Sequence, residues 1–293
     1  MSSTASGSAS ASASASASAS ASVPGPASGP VFELRDVEAG YGRAALVLRG
    51  LSVSVHAGSV VCLVGPNGAG KSTVLRVASG LLAPRSGQVL LRGEDVGGSR
   101  PQDLLGKGVA HVLQGHSVFP EMTVEENVRL GAFTIRDPAL VAQRCERVKD
   151  VFPVVGDRWK MTAGLLSGGQ QKQVEFARAL MLDPAVILLD EPSMGLDPKT
   201  TTTVFEQIAA MRELGTAVLL VEQNARRALE MADVGCVLDL GRVHIQGPAR
   251  DLLADPALGA LYLGGSAARR PQPAASAASE AAAAEPGTAE TPS

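Results

Sequence analysis

The apolar run Val60-Val61-Cys62-Leu63-Val64 leads directly into Gly65-Pro66-Asn67-Gly68-Ala69-Gly70-Lys71-Ser72-Thr73. The spaced apolar positions Val74, Leu75, Val77, Ala78, Leu81 and Leu82 follow. The order is buried strand, glycine loop, helix, which is the context a phosphate-binding loop requires. Gly65, Gly68 and Gly70 let the backbone turn tightly and point successive N–H groups inward, where they and the helix N-terminus attract a polyphosphate. In such a loop Lys71 bridges the terminal phosphates, Ser72 holds Mg²⁺, and Thr73 assists at the α-phosphate. A glycine-rich turn is the plain alternative. A turn alone explains neither the strand before the loop nor the helix after it.

The chain has 293 residues, and its two ends have a different composition from its middle. Residues 1–30 alternate Ser and Ala before turning to Pro and Gly. They offer too little apolar side chain to offset the entropy of ordering, and so read as a disordered tail. They lack the basic n-region and Leu/Ile/Val-rich core of a secretory signal, and the arginines of a transit peptide. Residues 265–293, rich in Ala, Pro and Glu, read the same way. Residues 31–264 form the folded part, a length suited to one large α/β domain with an insertion.

A net charge of −3 at pH 7, with no basic block, argues against a nucleic-acid partner. Cys62, Cys145 and Cys236 lie far apart, two of them in apolar strand-like runs, which favours buried free thiols over a disulfide framework or a zinc site. No window holds 18 consecutive apolar residues, so any membrane span must come from another chain.

Residues 31–36, 51–55 and 88–92 alternate or nearly alternate between glycines, which predicts a small antiparallel sheet around the phosphate-loop strand. Tyr41, in this region, reads from its surroundings as simple turn packing. A short helix is expected over 101–105 and a strand over 108–113, ending at Gln114, Gly115 and His116. From 123 to 161 the pattern is helical, opened by Thr123 with Glu125 and Glu126 in the first turn and continued by 139–151. Helices over 200–214 and 226–231, a buried strand over 216–221, and a hairpin of 234–239 with 242–246 continue the pattern, and the stretches 248–253 and 257–263 finish the domain.

Two further stretches carry chemistry. Leu166-Ser167-Gly168-Gly169-Gln170 opens a long helix over 171–180 and repeats the phosphate-loop logic: bare amides, a hydroxyl and a helix dipole, with no acidic side chain to repel an anion. A helix N-cap explains Ser167 but not both glycines. The apolar strand 185–189 ends in Asp190 and Glu191, adjacent carboxylates that are costly at a buried edge without a cation. Asp190 is expected to reach Mg²⁺ through water, and Glu191 to orient or deprotonate the attacking water.

The phosphate loop, the Leu166–Gln170 pentad, Asp190-Glu191 and Ser193-Met194-Gly195-Leu196-Asp197 occur in the order seen in ATP-binding cassette (ABC) ATPases, and the resemblance covers 31–264. More narrowly, Gln114–Pro120, Thr123-Val124-Glu125-Glu126-Asn127, Leu220-Val221-Glu222-Gln223-Asn224 and Leu261-Tyr262-Leu263-Gly264 look like the ATPase subunits of branched-chain amino acid and urea or short-chain amide importers.

The resemblance implies a phosphate-loop NTPase core with an antiparallel β subdomain and an inserted α-helical subdomain over about 115–170. It implies that Tyr41 stacks on adenine, and that Gln114 touches Mg²⁺ and the attacking water while linking the nucleotide to the helical insertion. Gln223 would sense the γ-phosphate. Ser167, Gly168, Gly169 and Gln170 would close over ATP bound to an opposite ATPase subunit, identical or paralogous, in a head-to-tail dimer. It further implies integral membrane permease subunits, an external substrate-binding protein, and a peripheral position on the cytoplasmic face of the cell membrane. Three positions depart from the pattern: Gln223 stands where most of the wider family has histidine, His116 where the branch has arginine, and Asp197 where its amino acid members often have alanine. A soluble cassette ATPase acting on ribosomes or DNA usually needs two cassettes, a basic linker or long coiled coils, and none is visible. A small-molecule kinase gives no reason for the pentad.

Overall fold

The computed structural model describes residues 29–42, 45–115 and 117–256. His116, the closing stretch 257–263 with its Leu261–Gly264 ending, and all but two residues of the expected tails lie outside that range. In chain order the strands are β1 (Phe32–Ala39), β2 (Leu48–Val55), β3 (Val60–Val64), β4 (Ser86–Leu91), β5 (Glu94–Asp95), β6 (Val109–Val112), β7 (Val186–Asp190), β8 (Ala217–Val221), β9 (Val234–Asp239) and β10 (Arg242–Pro248). The helices are α1 (Lys71–Ala78), α2 (Pro101–Lys107), α3 (Val124–Leu130), α4 (Pro138–Val151), α5 (Pro153–Asp157), α6 (Gly168–Leu180), α7 (Pro198–Glu213), α8 (Ala225–Met231) and α9 (Ala249–Ala254).

Two sheets form. One has the order β10-β9-β3-β8-β7-β6, parallel except for β10, and the other is antiparallel in the order β2-β1-β4-β5. All five residues of β3 are buried because the strand lies at the centre of the parallel sheet with both faces covered. Val61 and Leu63 face a core shared with the antiparallel sheet and α1. Val60, Cys62 and Val64 face the opposite core, formed with residues of α3, α4, α6, α7 and α8. The three cysteines are buried and free, as their apolar surroundings predict.

The antiparallel strands are longer than their sequence pattern suggests. In β1 both Arg35 and Asp36 are exposed and the register shifts between Leu34 and Val37. Asp36 takes φ 49°. This β-bulge breaks the alternation midway, so the period-two signal ends before the strand does. Gly50, with φ 71°, similarly interrupts β2. Thr123 caps α3 as its spacing to Glu126 predicts: its hydroxyl accepts from the Glu126 amide, and the Glu126 carboxylate accepts from the Thr123 amide.

Candidate active site

β3, β6, β7 and β8 run parallel, so their carboxyl ends share one edge of the sheet. That edge is where open α/β sheets place ligands. The strands deliver, respectively, the 65–70 loop, Gln114, Asp190 with Glu191, and Glu222 with Gln223. Residues far apart in the chain thus meet because their strands share a direction.

At Gly65 the backbone takes φ 154° and passes so close to β9 that a Cβ would lie 2.2 Å from the Leu238 carbonyl oxygen. Only glycine fits there. Pro66, Asn67 and Gly68 form an exposed rim, whereas Ala69 and Gly70 are buried against the molecule. α1 then begins with no side-chain cap and no acidic residue in its first turn. By contrast α3, α6, α7 and α8 are each capped by a side chain, from Thr123, Ser167, Asp197 and Asn224. The open amides at the start of α1 suit an anion.

Lys71 is 7% exposed, and its Nζ donates to the carbonyl oxygens of Gly65 (2.8 Å) and Pro66 (3.1 Å). Burial lowers its pKa, opposed by the charges of Glu191 and Asp190, so the ammonium sits within the field of both carboxylates. Tyr41 is drawn to the same helix. Its hydroxyl lies 3.3 Å from Thr73 Oγ1 and accepts from the Arg76 guanidinium at 3.1 Å, and that guanidinium sits 5.7 Å from the ring centroid. Tyr41 as a whole is 43% exposed. Turn packing therefore does not account for this tyrosine; it is fastened by its hydroxyl and leaves ring surface to solvent.

Asp190 has a pKa raised by burial and next by the charge of Glu191, and the charges of Arg76 and Lys71 with a hydrogen bond from Ser72 only partly counter this. Its Oδ1 is buried with no partner. Such an orphaned oxygen beside a serine hydroxyl suits a hard divalent cation. Among the described residues no group of three or more His, Cys, Asp or Glu side chains could hold a metal. A cation here would therefore complete its shell with water and substrate phosphate, as Mg²⁺ commonly does.

Glu191 adopts φ 45°, a left-handed conformation that is costly for a residue with a side chain, while its amide donates to the Val221 carbonyl. Gln114 Nε2 donates to Glu191 Oε2 at 2.9 Å and lies 3.0 Å from Met194 Sδ. The glutamine at the end of β6 and the glutamate after β7 thus share a hydrogen bond. Glu222, 2% exposed, accepts from the amides of Ser193 (2.9 Å) and Gln223 (3.1 Å), and burial raises its pKa. It ties the segment after Glu191 to the start of the Gln223 loop. Gln223 is exposed and lines a cavity of about 420 Å³ with Ser193, Met194, Asn224 and Arg227. The sequence pattern assigns Glu222 no role of its own beyond its place in the Leu220–Asn224 stretch, although it is a carboxylate at the end of a buried strand, the same signal that singled out Asp190.

Ser167, Gly168, Gly169 and Gln170 form a separate cluster at the start of α6. Ser167 Oγ accepts from the Gln170 amide at 3.4 Å, and Gln170 Oε1 accepts from the Ser167 amide at 3.1 Å. Gly169 has a packing reason as well as a bare amide: a Cβ there would lie 2.0 Å from Thr200 Cγ2. Thr200 is held in turn by Asp197, which accepts from its amide and hydroxyl and caps α7. The start of α6 is therefore fitted against the start of α7.

A profile of the ABC transporter family matches residues 48–194. The chain is 41% identical over 219 residues to the high-affinity branched-chain amino acid transport ATP-binding protein BraG of Pseudomonas aeruginosa, covering 74% of this chain and 93% of that protein. It is 38% identical over 222 residues to the probable branched-chain amino acid transport ATP-binding protein LivF of Archaeoglobus fulgidus, covering 75% and 94%. Its fold is similar to the crystal structure of the ADP conformation of an ATP-binding cassette of an ABC transporter, with a TM-score of 0.72, 27% identity and coverage of 80% of this chain and 99% of that one.

Proposed function

The chain belongs to the ABC transporter ATPase family, and from that membership we propose that it powers the uptake of branched-chain amino acids. It binds ATP and acts as a transport ATPase, with membrane permease subunits as partners and dimerisation as its mode of assembly. Among the described residues no helix is long and apolar enough to cross a membrane. The cytoplasmic face of the membrane, a partner ATPase subunit identical or paralogous to this one, and an external binding protein complete the proposed setting. Residues 31–264 are the proposed ATPase domain, with the helical insertion at about 115–170. The names of the relatives support an amino acid over urea or a short-chain amide as cargo.

In this reading the backbone N–H groups of Gly65, Asn67, Gly68, Ala69 and Gly70 cradle the phosphates, Pro66, which has no N–H, shapes the loop between them, and Lys71 leaves the Gly65 and Pro66 carbonyls for the terminal phosphates. Thr73 assists at the α-phosphate, and Tyr41 offers its exposed ring to adenine. Ser72, Asp190 and Gln114 hold Mg²⁺, which when bound neutralises charge on the β- and γ-phosphates. Glu191 orients the attacking water and takes its proton, and Gln114 fixes the Glu191 carboxylate until water displaces its amide. Gln223 donates its NH₂ to the γ-phosphate, a contact that does not titrate as a histidine would. Ser167, Gly168, Gly169 and Gln170 engage ATP bound to the opposite subunit.

The observation that carries this reading is the Gln114–Glu191 hydrogen bond, made at a backbone-strained carboxylate beside the orphaned Asp190 oxygen. Glu191→Gln is expected to bind ATP as wild type does and to lose about 10²- to 10⁴-fold in turnover, the range for removing a positioned general base. Wild-type turnover in that variant would remove Glu191 from its role. For the cargo, cells lacking this chain are expected to lose labelled leucine uptake and keep urea uptake; the reverse pattern would reassign the cargo.

A further inference from the structure

Helix α6 carries Lys172, Glu175 and Arg178 at three-residue spacing, and all three turn inward. The Lys172 and Glu175 side chains are 3% and 1% exposed and pair at 2.5 Å. Their remaining hydrogen-bonding capacity, with that of Arg178, goes to the loop that follows Gln114. Lys172 Nζ donates to the Gly115 carbonyl at 2.6 Å, and Glu175 Oε1 accepts from the Ser117 amide. Arg178 donates to the Ser117 carbonyl at 2.8 Å and to its hydroxyl at 2.6 Å. Two residues of the loop are thus held by three side chains of a single helix.

Stability alone is a weak reason for this arrangement. A buried ion pair is often no more stabilising than well-packed apolar residues of similar volume, because desolvation offsets the attraction. What an apolar pair cannot supply is a directional grip on the Gly115 carbonyl and the Ser117 amide. The loop so gripped begins at Gln114, whose amide meets Glu191, and the gripping helix begins at the 167–170 cluster fitted against α7. Since an α-helix is stiff over two turns, a displacement at its first turn is passed to the position of Glu175.

We propose that Lys172, Glu175 and Arg178 are positioning residues for ATP hydrolysis: they join the Gln114 loop to α6, so that the placement of Gln114 against Glu191 depends on where the 167–170 end of that helix is seated. The inference rests on the roles given above to Gln114 and Glu191.

The test uses the full chain and measures steady-state ATPase rate, ATP KM and melting temperature for K172M/E175M, for Q114A and for the three substitutions combined. K172M/E175M replaces the ion pair by apolar side chains of comparable length, which offsets the lost attraction, but it gives up the contacts to the Gly115 carbonyl and the Ser117 amide, so it is expected to fold and to melt a few degrees below wild type. Its ATP KM should stay within about twofold while kcat falls about tenfold, the signature of lost positioning rather than lost binding. Q114A is expected to cost about tenfold in kcat in the wild-type background and less than about twofold in K172M/E175M, because both act through one contact. Fully additive losses, or a wild-type kcat in K172M/E175M, would overturn the inference while leaving Gln114 in its role. A wild-type kcat in Q114A would overturn the role of Gln114 and this inference with it. Should K172M/E175M fail to fold, Arg178→Lys, whose shorter side chain keeps the charge but withdraws the Nη2 that donates to both Ser117 oxygens, carries the same comparisons with the same outcomes.

Discussion

Charged groups are withdrawn from water in two places in this molecule, and the two are finished differently. Between α6 and the 115–117 loop, Lys172, Glu175 and Arg178 all have partners. Nearby, the fully buried Asn127 accepts from the Phe119 amide and donates to the carbonyls of Phe119 and Thr123. At the carboxyl edge of the parallel sheet the accounts stay open: Asp190 Oδ1 has no partner, α1 has no cap, and Glu191 sits at φ 45°. A buried polar group with unspent capacity costs free energy, and a ligand that uses it repays that cost. A saturated network instead fixes one arrangement. Unspent capacity therefore points to chemistry, and saturated capacity to geometry.

The largest expected effect tests the open region. Lys71→Ala removes the ammonium that now rests on two loop carbonyls, and nucleotide affinity should fall about a hundredfold or more, as expected for losing charge-assisted contacts of about 1.5–3 kcal/mol each. The melting temperature should barely move, and calorimetric titration with ATP beside a thermal melt checks both. Unchanged affinity would mean that the edge is not the nucleotide site.

The saturated region should respond the other way. Asn127→Ala leaves the Phe119 amide without its partner, whereas the carbonyls of Phe119 and Thr123 keep the amides of Met122 and of residue 127 itself, at a cost of about 1–3 kcal/mol. For a domain of this size that lowers the melting temperature by roughly 2–12 °C, whereas ATP affinity in the folded protein should be unchanged. A melt indistinguishable from wild type would show that water replaces the side chain and that the network is not sealed.

The smallest effect has the opposite sign. Burial and the neighbouring Glu191 raise the pKa of Asp190, so the folded chain holds that proton more tightly than the unfolded chain. Stability from this group therefore falls as pH rises from the ordinary carboxylate value through the raised one. Asp190→Asn removes the penalty: without nucleotide it should melt a few degrees above wild type at neutral pH, and the gap should close below about pH 4. Melts across that range decide it, and a variant less stable than wild type at neutral pH would mean that the carboxylate is already satisfied.

Sequence pattern made the open region legible because its requirements are local. A glycine loop between Val64 and Lys71, or Asp190-Glu191 ending an apolar strand, can be read from adjacent residues. The saturated region resisted the same reading. Lys172, Glu175 and Arg178 at three-residue spacing look like one solvated face of a helix, and nothing in the chain says that Gly115 and Ser117 come to cover them. Strand lengths in the antiparallel sheet failed for a related reason, since the bulge at Asp36 conceals the alternation that continues from Val37 to Ala39. The hydroxyl contacts of Tyr41 with Thr73 and Arg76 were likewise invisible, because they join two sheets' worth of separate sequence.

The parallel pairing of the central strand also fixes when the site can come into being. Val60 pairs with Val218, and Val61 with Val234, so β3 must wait for most of the chain before either neighbour exists. At synthesis rates of about 5–20 residues per second, the first glycine loop leaves the ribosome many seconds before the strands that flank it. Through that interval five consecutive apolar residues have no sheet to join, and they depend on transient cover from the antiparallel strands or from chaperones. A truncated product ending before β8 would carry the whole phosphate loop and still lack the two strands that hold it in place.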